Sequence, residues 1–146
     1  MKKRKQLLLF TLGGIGYLGI ELLWRGWTHP SMFFAGGSCF LLLGKLEQAE
    51  PRLPLIPKAV TGAIIITGVE LLTGLIINRG YNVWDYRDVP FNFHGQICLP
   101  FSLLWIPVSL GGMQLYSLLN KRIAPSQQTK TQNTIIHRPN QAYDEC

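Results

Sequence analysis

The chain has 146 residues, of which 47% are hydrophobic and only 15% are charged, whereas about 25% of residues are charged in an ordinary soluble domain. Three cysteines are too few for a disulfide scaffold. The net charge of +6 does not indicate a nucleic-acid partner, because the basic residues at positions 2–5 stand directly before an apolar run. The composition therefore predicts a membrane protein whose surroundings are the lipid bilayer.

Four apolar stretches approach the length of about 20 residues that a membrane helix needs. The second is short, so it predicts either a full crossing or a re-entrant hairpin, and we favour the crossing because Trp27 and Lys45 can extend it. The remaining segment, 120–146, is rich in Gln, Thr, Asn and Pro and predicts a flexible cytoplasmic tail. The predicted fold class is all-α, an integral membrane four-helix bundle within 1–119, with spans at 7–23, 32–46, 59–77 and 97–119.

The distribution of positive charge predicts the orientation. If the N-terminus is inside, three of the 14 Lys and Arg residues lie outside and the other eleven lie on the cytoplasmic side. Aromatic residues that flank the outer ends of the spans then form an interfacial belt. We therefore expect a multi-pass protein of the cell membrane with both termini in the cytoplasm.

A short pattern recurs along the chain. Gly19-Ile-Glu21-Leu-Leu is echoed by Gly68-Val-Glu70-Leu-Leu, and an Arg-Gly pair follows each copy. This suggests a tandem repeat of two parallel helix hairpins, in which the two glutamates hold related positions. Chance similarity between leucine-rich helices is the alternative, because the spacing from Glu to Arg differs between the copies.

Glu70 is the most informative residue of the third span. A carboxylate within the membrane costs several kcal/mol unless it is protonated, paired or hydrated. Thr67 and Thr73 share its helical face at i−3 and i+3. One interpretation is a proton or cation site, or an anchor for a polar substrate. The other is a buried carboxylate that pairs with an arginine and fixes helix packing.

Polar residues on the first and fourth spans extend the predicted intramembrane site. Glu21 and Arg25 are spaced i, i+4, which favours an ion pair within one helix. Pro100 and Pro107 predict a bent fourth helix. Its polar stripe either lines a cavity or only bonds back to its own helix, and it consists of Cys98, Ser102, Trp105 and Ser109.

The segment 78–96 between the third and fourth spans is dense in aromatic and charged residues. It predicts an outer cap on the bundle, either a lid with a recognition surface or an ordered interfacial plug. Asp85 is expected to pair with a nearby arginine. The candidate residues of this loop are Arg79, Trp84, Asp85, Tyr86, Asn92 and Gln96.

The chain shows no pattern for enzymatic chemistry. His29 and His94 have no third ligand at metal-like spacing, so no metal site is predicted, and no cofactor is expected. No Walker loop and no nucleophile pattern is present. We therefore expect a protein that is not an enzyme, and any nucleotide site would lie on a separate chain.

Several of these segments together resemble the putative ABC-transporter type IV family of small bacterial integral membrane proteins. The resemblance runs over about 15–110 and is most specific from Val83-Trp-Asp-Tyr86 to Gly95-Gln-Ile-Cys98. It implies a polytopic membrane protein that is a permease component, and it transfers no catalytic role. Because four helices are few for a complete carrier, we expect a homo-oligomer or a separate ATPase subunit. The expected function is therefore transport-related. The alternative is a non-transporting scaffold or sensor that binds a partner or ligand through the outer loop.

Overall fold

The computed structural model describes residues 2–123, and most of these residues are helical. Within them, four helices confirm the predicted helical bundle. Residues 124–146 of the predicted tail lie outside the described residues, whereas 120–123 form the last turn of the fourth helix. The elements are α1 (Lys2–Arg25), α2 (Pro30–Ala49), α3 (Leu55–Ile77), β1 (Asn92–Phe93), β2 (Ile97–Cys98) and α4 (Leu99–Ile123).

Three helices, α1, α3 and α4, are long and apolar enough to cross a membrane. The helix α2 has 20 residues but does not join them. Its last turns contain Lys45, Glu47 and Gln48, which lower the mean hydropathy of the whole helix. The crossing of α2, the side on which each terminus lies and the tandem repeat stay predictions.

Consecutive helices run antiparallel, and α1 and α2 are held close by glycines. A Cβ atom at Gly14 would lie 2.6 Å from the ring of Phe33, so only glycine permits this approach. Gly16 and Gly19 face open space instead. The contact surface of α1 toward α2 therefore includes Gly13 and Gly14.

The core of the bundle is narrow, and most apolar side chains point outward, as a lipid environment requires. Leu43, Ile66 and Met113 join α2, α3 and α4 at its centre. Ser109 is fully buried, and its hydroxyl lies within hydrogen-bond distance of the carbonyl of Ala59 on α3, at 2.9 Å, and of the carbonyl of Ile106 on its own helix, at 2.8 Å. Its one proton can therefore bond across to α3 or back to α4.

The start of α4 differs from the predicted span. Ile97 and Cys98 form β2, which pairs antiparallel with β1, so Cys98 does not belong to the helical stripe. Pro100 is the second residue of α4, where a missing N–H costs no helical hydrogen bond. It therefore does not bend the helix as expected, and only Pro107 lies inside α4.

The segment 78–98, called the α3–α4 connection below, marks one end of the bundle. At the opposite end, Nζ of Lys5 donates to the carbonyl of Asn120 at 3.0 Å, which joins the start of α1 to the last turns of α4. Lys58 and Glu47 form a second link there, at 3.0 Å. The helices α1 and α4 make few contacts in all, and the rings of Tyr17 and Trp105 lie 6.4 Å apart further along them.

Candidate functional site

Glu70 lies on α3, about two helical turns before its end, and neutral donors hold its carboxylate. Tyr86 of the α3–α4 connection donates its hydroxyl to Oε1 at 3.0 Å. Trp105 of α4 donates Nε1–H to Oε2 at 3.1 Å. Within residues 2–123, no lysine or arginine forms an ion pair with Glu70. One donor on each oxygen suits a carboxylate.

Glu21 and Arg25 form the ion pair that their spacing predicted. Thr28 donates its hydroxyl to the other oxygen of Glu21 at 2.6 Å. Arg25 also donates Nη1–H to the carbonyl of Val83 at 3.0 Å, and its guanidinium lies over the ring of Trp27. The pair thereby ties the end of α1 to the α3–α4 connection.

The α3–α4 connection is built around Asn78, which is fully buried. Its Nδ2 donates to the carbonyl of Trp84 at 2.6 Å and to Oε1 of Gln96 at 3.1 Å. Its Oδ1 accepts from the backbone N–H of Val83 at 2.9 Å. Trp84 in turn donates Nε1–H to the carbonyl of Gln96 at 2.8 Å. This network satisfies the buried polar groups of the segment and fixes it as an ordered cap.

Gly74 explains how Gln96 reaches Asn78. A Cβ atom at Gly74 would lie 3.0 Å from Cδ of Gln96 and closer still to its Oε1. A larger residue would therefore push Gln96 out of the network. The neighbour of Gly74 is therefore the cap.

A cavity of about 390 Å³ lies between the helices under this cap. We call it the Glu70 cavity. Its volume falls in the range of small-molecule sites, about 300–1,000 Å³. Its lining is mainly apolar and aromatic, with three charged side chains. The lining includes Tyr17, Glu21, Arg25, Glu70, Tyr86 and Trp105.

The structure brings only part of the predicted polar site together. Glu70, Glu21 and Arg25 all line the cavity. Thr67 lines a separate apolar groove between α3 and α4, and Thr73 bonds back to the carbonyl of Val69 at 2.8 Å. Both threonines lie within one turn of Glu70, but the neighbouring helices cover a different sector of α3.

The predicted loop residues separate into buried and exposed groups. Trp84 and Gln96 are buried in the cap, and Tyr86 reaches Glu70. Asn92 lies on the surface, where it accepts from the backbone N–H of Gly95 at 3.1 Å and orders the turn before β2. Arg79 is exposed and bonds to the carbonyl of Leu75 at 2.9 Å.

Asp85 pairs with Arg87, one of the arginines expected for it. The pair is exposed, and the hydrogen bonds that Arg87 donates lower the pKa of Asp85. The pKa of Tyr86 is raised instead, mainly by burial and then by the carboxylate of Glu70. Tyr86 therefore keeps its proton at neutral pH and remains a donor to Glu70.

Two residues of the site were not among the predicted polar residues. Asn78 stands at the end of α3, where an amide is unremarkable in sequence, and its role depends on Gln96, 18 positions later. Tyr17 lies on α1 with its ring 6.4 Å from that of Trp105, and in sequence it is one aromatic residue among many in an apolar helix. Among the described residues, no group of three His, Cys, Asp or Glu side chains could hold a metal ion.

The comparisons with known proteins point to one family. A family model described as "Putative ABC-transporter type IV" matches residues 14–137. This match supports a transport-related membrane protein in general terms. No curated protein and no solved structure matches the chain significantly.

Proposed function

The chain belongs to the putative ABC-transporter type IV family, and we propose that it is a permease-like subunit whose substrate binds in the Glu70 cavity. The observation that carries this proposal is the carboxylate of Glu70, which faces a cavity and has two neutral donors but no cationic partner among the described residues. A carboxyl group within the membrane costs several kcal/mol unless it is protonated, paired or hydrated. One that faces a cavity without a paired cation is available to a proton or to a charged substrate.

A subunit of this size needs partners for active transport. Four helices around one cavity offer a binding site, whereas alternating access usually rearranges larger repeats or bundles against one another. The chain carries no Walker loop. We therefore propose that it acts as a homo-oligomer or with a separate ATPase subunit, and that it performs no enzymatic step itself.

The proposed location is the cell membrane, with both termini in the cytoplasm. The helix α2 has 20 residues and is therefore about 30 Å long, which matches the hydrocarbon thickness of about 30 Å. It packs antiparallel against α1 along most of its length. If α2 crosses as α1 does, four antiparallel helices return the chain to its starting side, and the bias of basic residues places that side inside.

A second candidate function is a non-transporting sensor or scaffold. The observation that favours it is a pair of exposed phenylalanines on the cap, Phe91 at 81% and Phe93 at 53% exposure. An ordered segment that presents aromatic side chains is suited to contact a partner. In this case the polar groups of the cavity would serve only to hold the cap on the bundle.

The experiment that separates the two functions combines isolation and reconstitution. The full chain is purified from native membranes under mild conditions, and the co-purifying proteins are identified. The purified complex is then reconstituted, and proton and cation flux is measured for the wild type and for Glu70→Gln, which has nearly the same shape as Glu70. Transport predicts an ATPase among the co-purifying proteins and flux that Glu70→Gln abolishes.

The control variant is Glu47→Gln, which removes a carboxylate at the opposite end of the bundle from the cavity. It should retain wild-type flux. Wild-type flux through a stable Glu70→Gln complex would refute the transport role of Glu70. Loss of partner binding in a Phe91→Ser, Phe93→Ser variant, with no flux in any reconstituted complex, would favour the sensor or scaffold.

A further inference from the structure

We propose that the Glu70 cavity binds a lipophilic organic cation. Its identification as the transported substrate rests on the function proposed above, whereas the binding site itself does not depend on transport. Three independent features of the cavity carry the inference: its charge, its aromatic lining and its exposed apolar border.

The charged side chains that line the cavity are Glu21, Arg25 and Glu70. When all three are ionised they carry two negative charges and one positive charge, so one negative charge is uncompensated. Arg25 is already occupied by Glu21 and by the carbonyl of Val83. A charge away from water interacts strongly because the surroundings screen it poorly. The site therefore favours a cation over a neutral or anionic ligand.

Aromatic rings surround the carboxylate. Trp105 and Tyr86 donate to Glu70 from two sides. The ring of Tyr17 lies 6.4 Å from that of Trp105, and the ring of Phe101 is stacked on Tyr86 at 5.0 Å. Aromatic faces attract organic cations such as quaternary ammonium groups. The lining supplies two carboxylates, of which Glu21 is already paired with Arg25, whereas a divalent metal ion takes about six or more oxygen ligands. The lining therefore favours an organic cation.

Exposed apolar side chains of α1 and α4 border the cavity. They include Ile20 at 60%, Trp24 at 77% and Leu104 at 54% exposure. An opening bordered by such residues leads to lipid rather than to water. A ligand that enters there must dissolve in the membrane, which requires apolar substituents around its charge.

The same chemistry occurs in two sources: a free organic cation dissolved in the membrane, and a lipid with an ammonium headgroup. The test uses the full chain in nanodiscs of phosphatidylglycerol, which has no ammonium group. Binding of tetraphenylphosphonium is measured after subtraction of empty discs. Tetraphenylborate, an anion of nearly the same shape, is the matched ligand control. Saturable binding of the cation and not of the anion is the expected result.

Variants then assign the binding to the cavity. Glu70→Gln should weaken cation binding by about tenfold or more, because it removes the only unpaired charge from a poorly screened site. Glu70→Asp, which keeps the charge, should retain part of the binding. Glu47→Gln should bind as the wild type does. A repeat in discs that contain phosphatidylethanolamine identifies the source, because competition indicates an ammonium lipid and its absence indicates a free cation.

The proposal is overturned if the wild type binds the two probe ions equally, a result that needs no variant to fold. It is also overturned if a stable Glu70→Gln protein binds the cation as the wild type does. Binding that passes these tests, with no flux in the complex reconstituted with its co-purifying proteins, would leave the cation site in place and refute the transport function. Flux that persists without cation binding would refute the cation site and support the transport function.

Discussion

The hydroxyl of Tyr86 donates to Oε1 of Glu70 at 3.0 Å, although Tyr86 belongs to the α3–α4 connection and Glu70 lies within α3. This bond links the cap to the carboxylate of the cavity. A change in the charge or ligand of Glu70 therefore acts directly on the segment that closes this end of the bundle. The arrangement suits a cap whose order depends on the state of the site beneath it.

The first prediction is that Tyr86→Phe lowers the free energy of unfolding. The variant keeps the ring that stacks on Phe101 and removes only the donor to Glu70. The carboxylate oxygen then lacks a protein partner, which costs about 1–3 kcal/mol in a poorly hydrated site. Thermal unfolding in detergent measures the change.

The control for this variant is Tyr81→Phe in the same connection. The hydroxyl of Tyr81 donates to the carbonyl of His94 at 3.0 Å on the exposed surface, where water can replace it. Its loss should change the unfolding temperature much less. Equal effects of the two variants would show that the bond to Glu70 contributes no more than a surface contact.

The contacts that could be predicted from sequence are local. Glu21 and Arg25 are four positions apart, and helix geometry alone brings them together. The bonds of Glu70 to Tyr86 and Trp105 cross 16 and 35 positions, and they depend on how the cap and α4 are placed. Thr67 and Thr73 were grouped with Glu70 because they share its helical face. A shared face does not reveal which sector of the helix is covered by neighbouring helices.

The helix ends were predicted less well than the helices themselves. Hydropathy locates the apolar stretches, so it placed the start of the first span at residue 7, whereas α1 begins at Lys2. The lysines continue the helix beyond its apolar part, and helical hydrogen bonding does not require apolar residues. The hairpin of β1 and β2 was not predicted, because two-residue strands carry no periodic signal. Positive φ angles at His94 and Gly95 define its turn, and a glycine there is the only local indication.

The second prediction compares two glycines within helices. A Cβ atom at Gly44 would overlap the ring of Tyr116, whereas none of the neighbouring atoms lies within 4 Å of one at Gly68. Gly44→Ala should therefore destabilise the bundle by about 1–3 kcal/mol through overpacking. Gly68→Ala should be neutral or stabilising by up to about 1 kcal/mol, because alanine favours the helix. Thermal unfolding of both variants checks the difference, and a destabilised Gly68→Ala would place another chain against that face.

The third prediction concerns the pH dependence of the exposed pair of Asp85 and Arg87. Hydrogen bonds from Arg87 lower the pKa of Asp85 in the folded state. The stabilisation is therefore fully present above the unfolded pKa of about 3.9, and it is lost as the pH falls through the lower folded value. Because both groups are exposed, we expect Asp85→Asn to change the unfolding temperature little at pH 7.

The measurement for this pair is the carboxyl titration of Asp85 by NMR, together with thermal unfolding at pH 7 in low and high salt. The titration should lie below the usual range for aspartate, and salt should remove any small difference between the wild type and Asp85→Asn. Asp88→Asn is the control, since among the described contacts its carboxylate forms no hydrogen bond to Arg87. A large loss of stability in Asp85→Asn alone would mean that the pair is shielded from water.

The last prediction tests the proposed orientation with two single cysteines at opposite ends of the bundle. Asn82 and Gln48 are both exposed, and they lie on the α3–α4 connection and at the end of α2. The bias of basic residues places the connection outside. Asn82→Cys should therefore react with a membrane-impermeant thiol reagent in intact cells, and Gln48→Cys should react only after permeabilisation. Both are made in a chain without its three native cysteines, so that the label reports one site. Labelling of Gln48→Cys from outside would show that α2 does not cross or that the whole bundle is inverted. Labelling of Asn82→Cys separates these two outcomes, because an inverted bundle protects Asn82→Cys from the reagent.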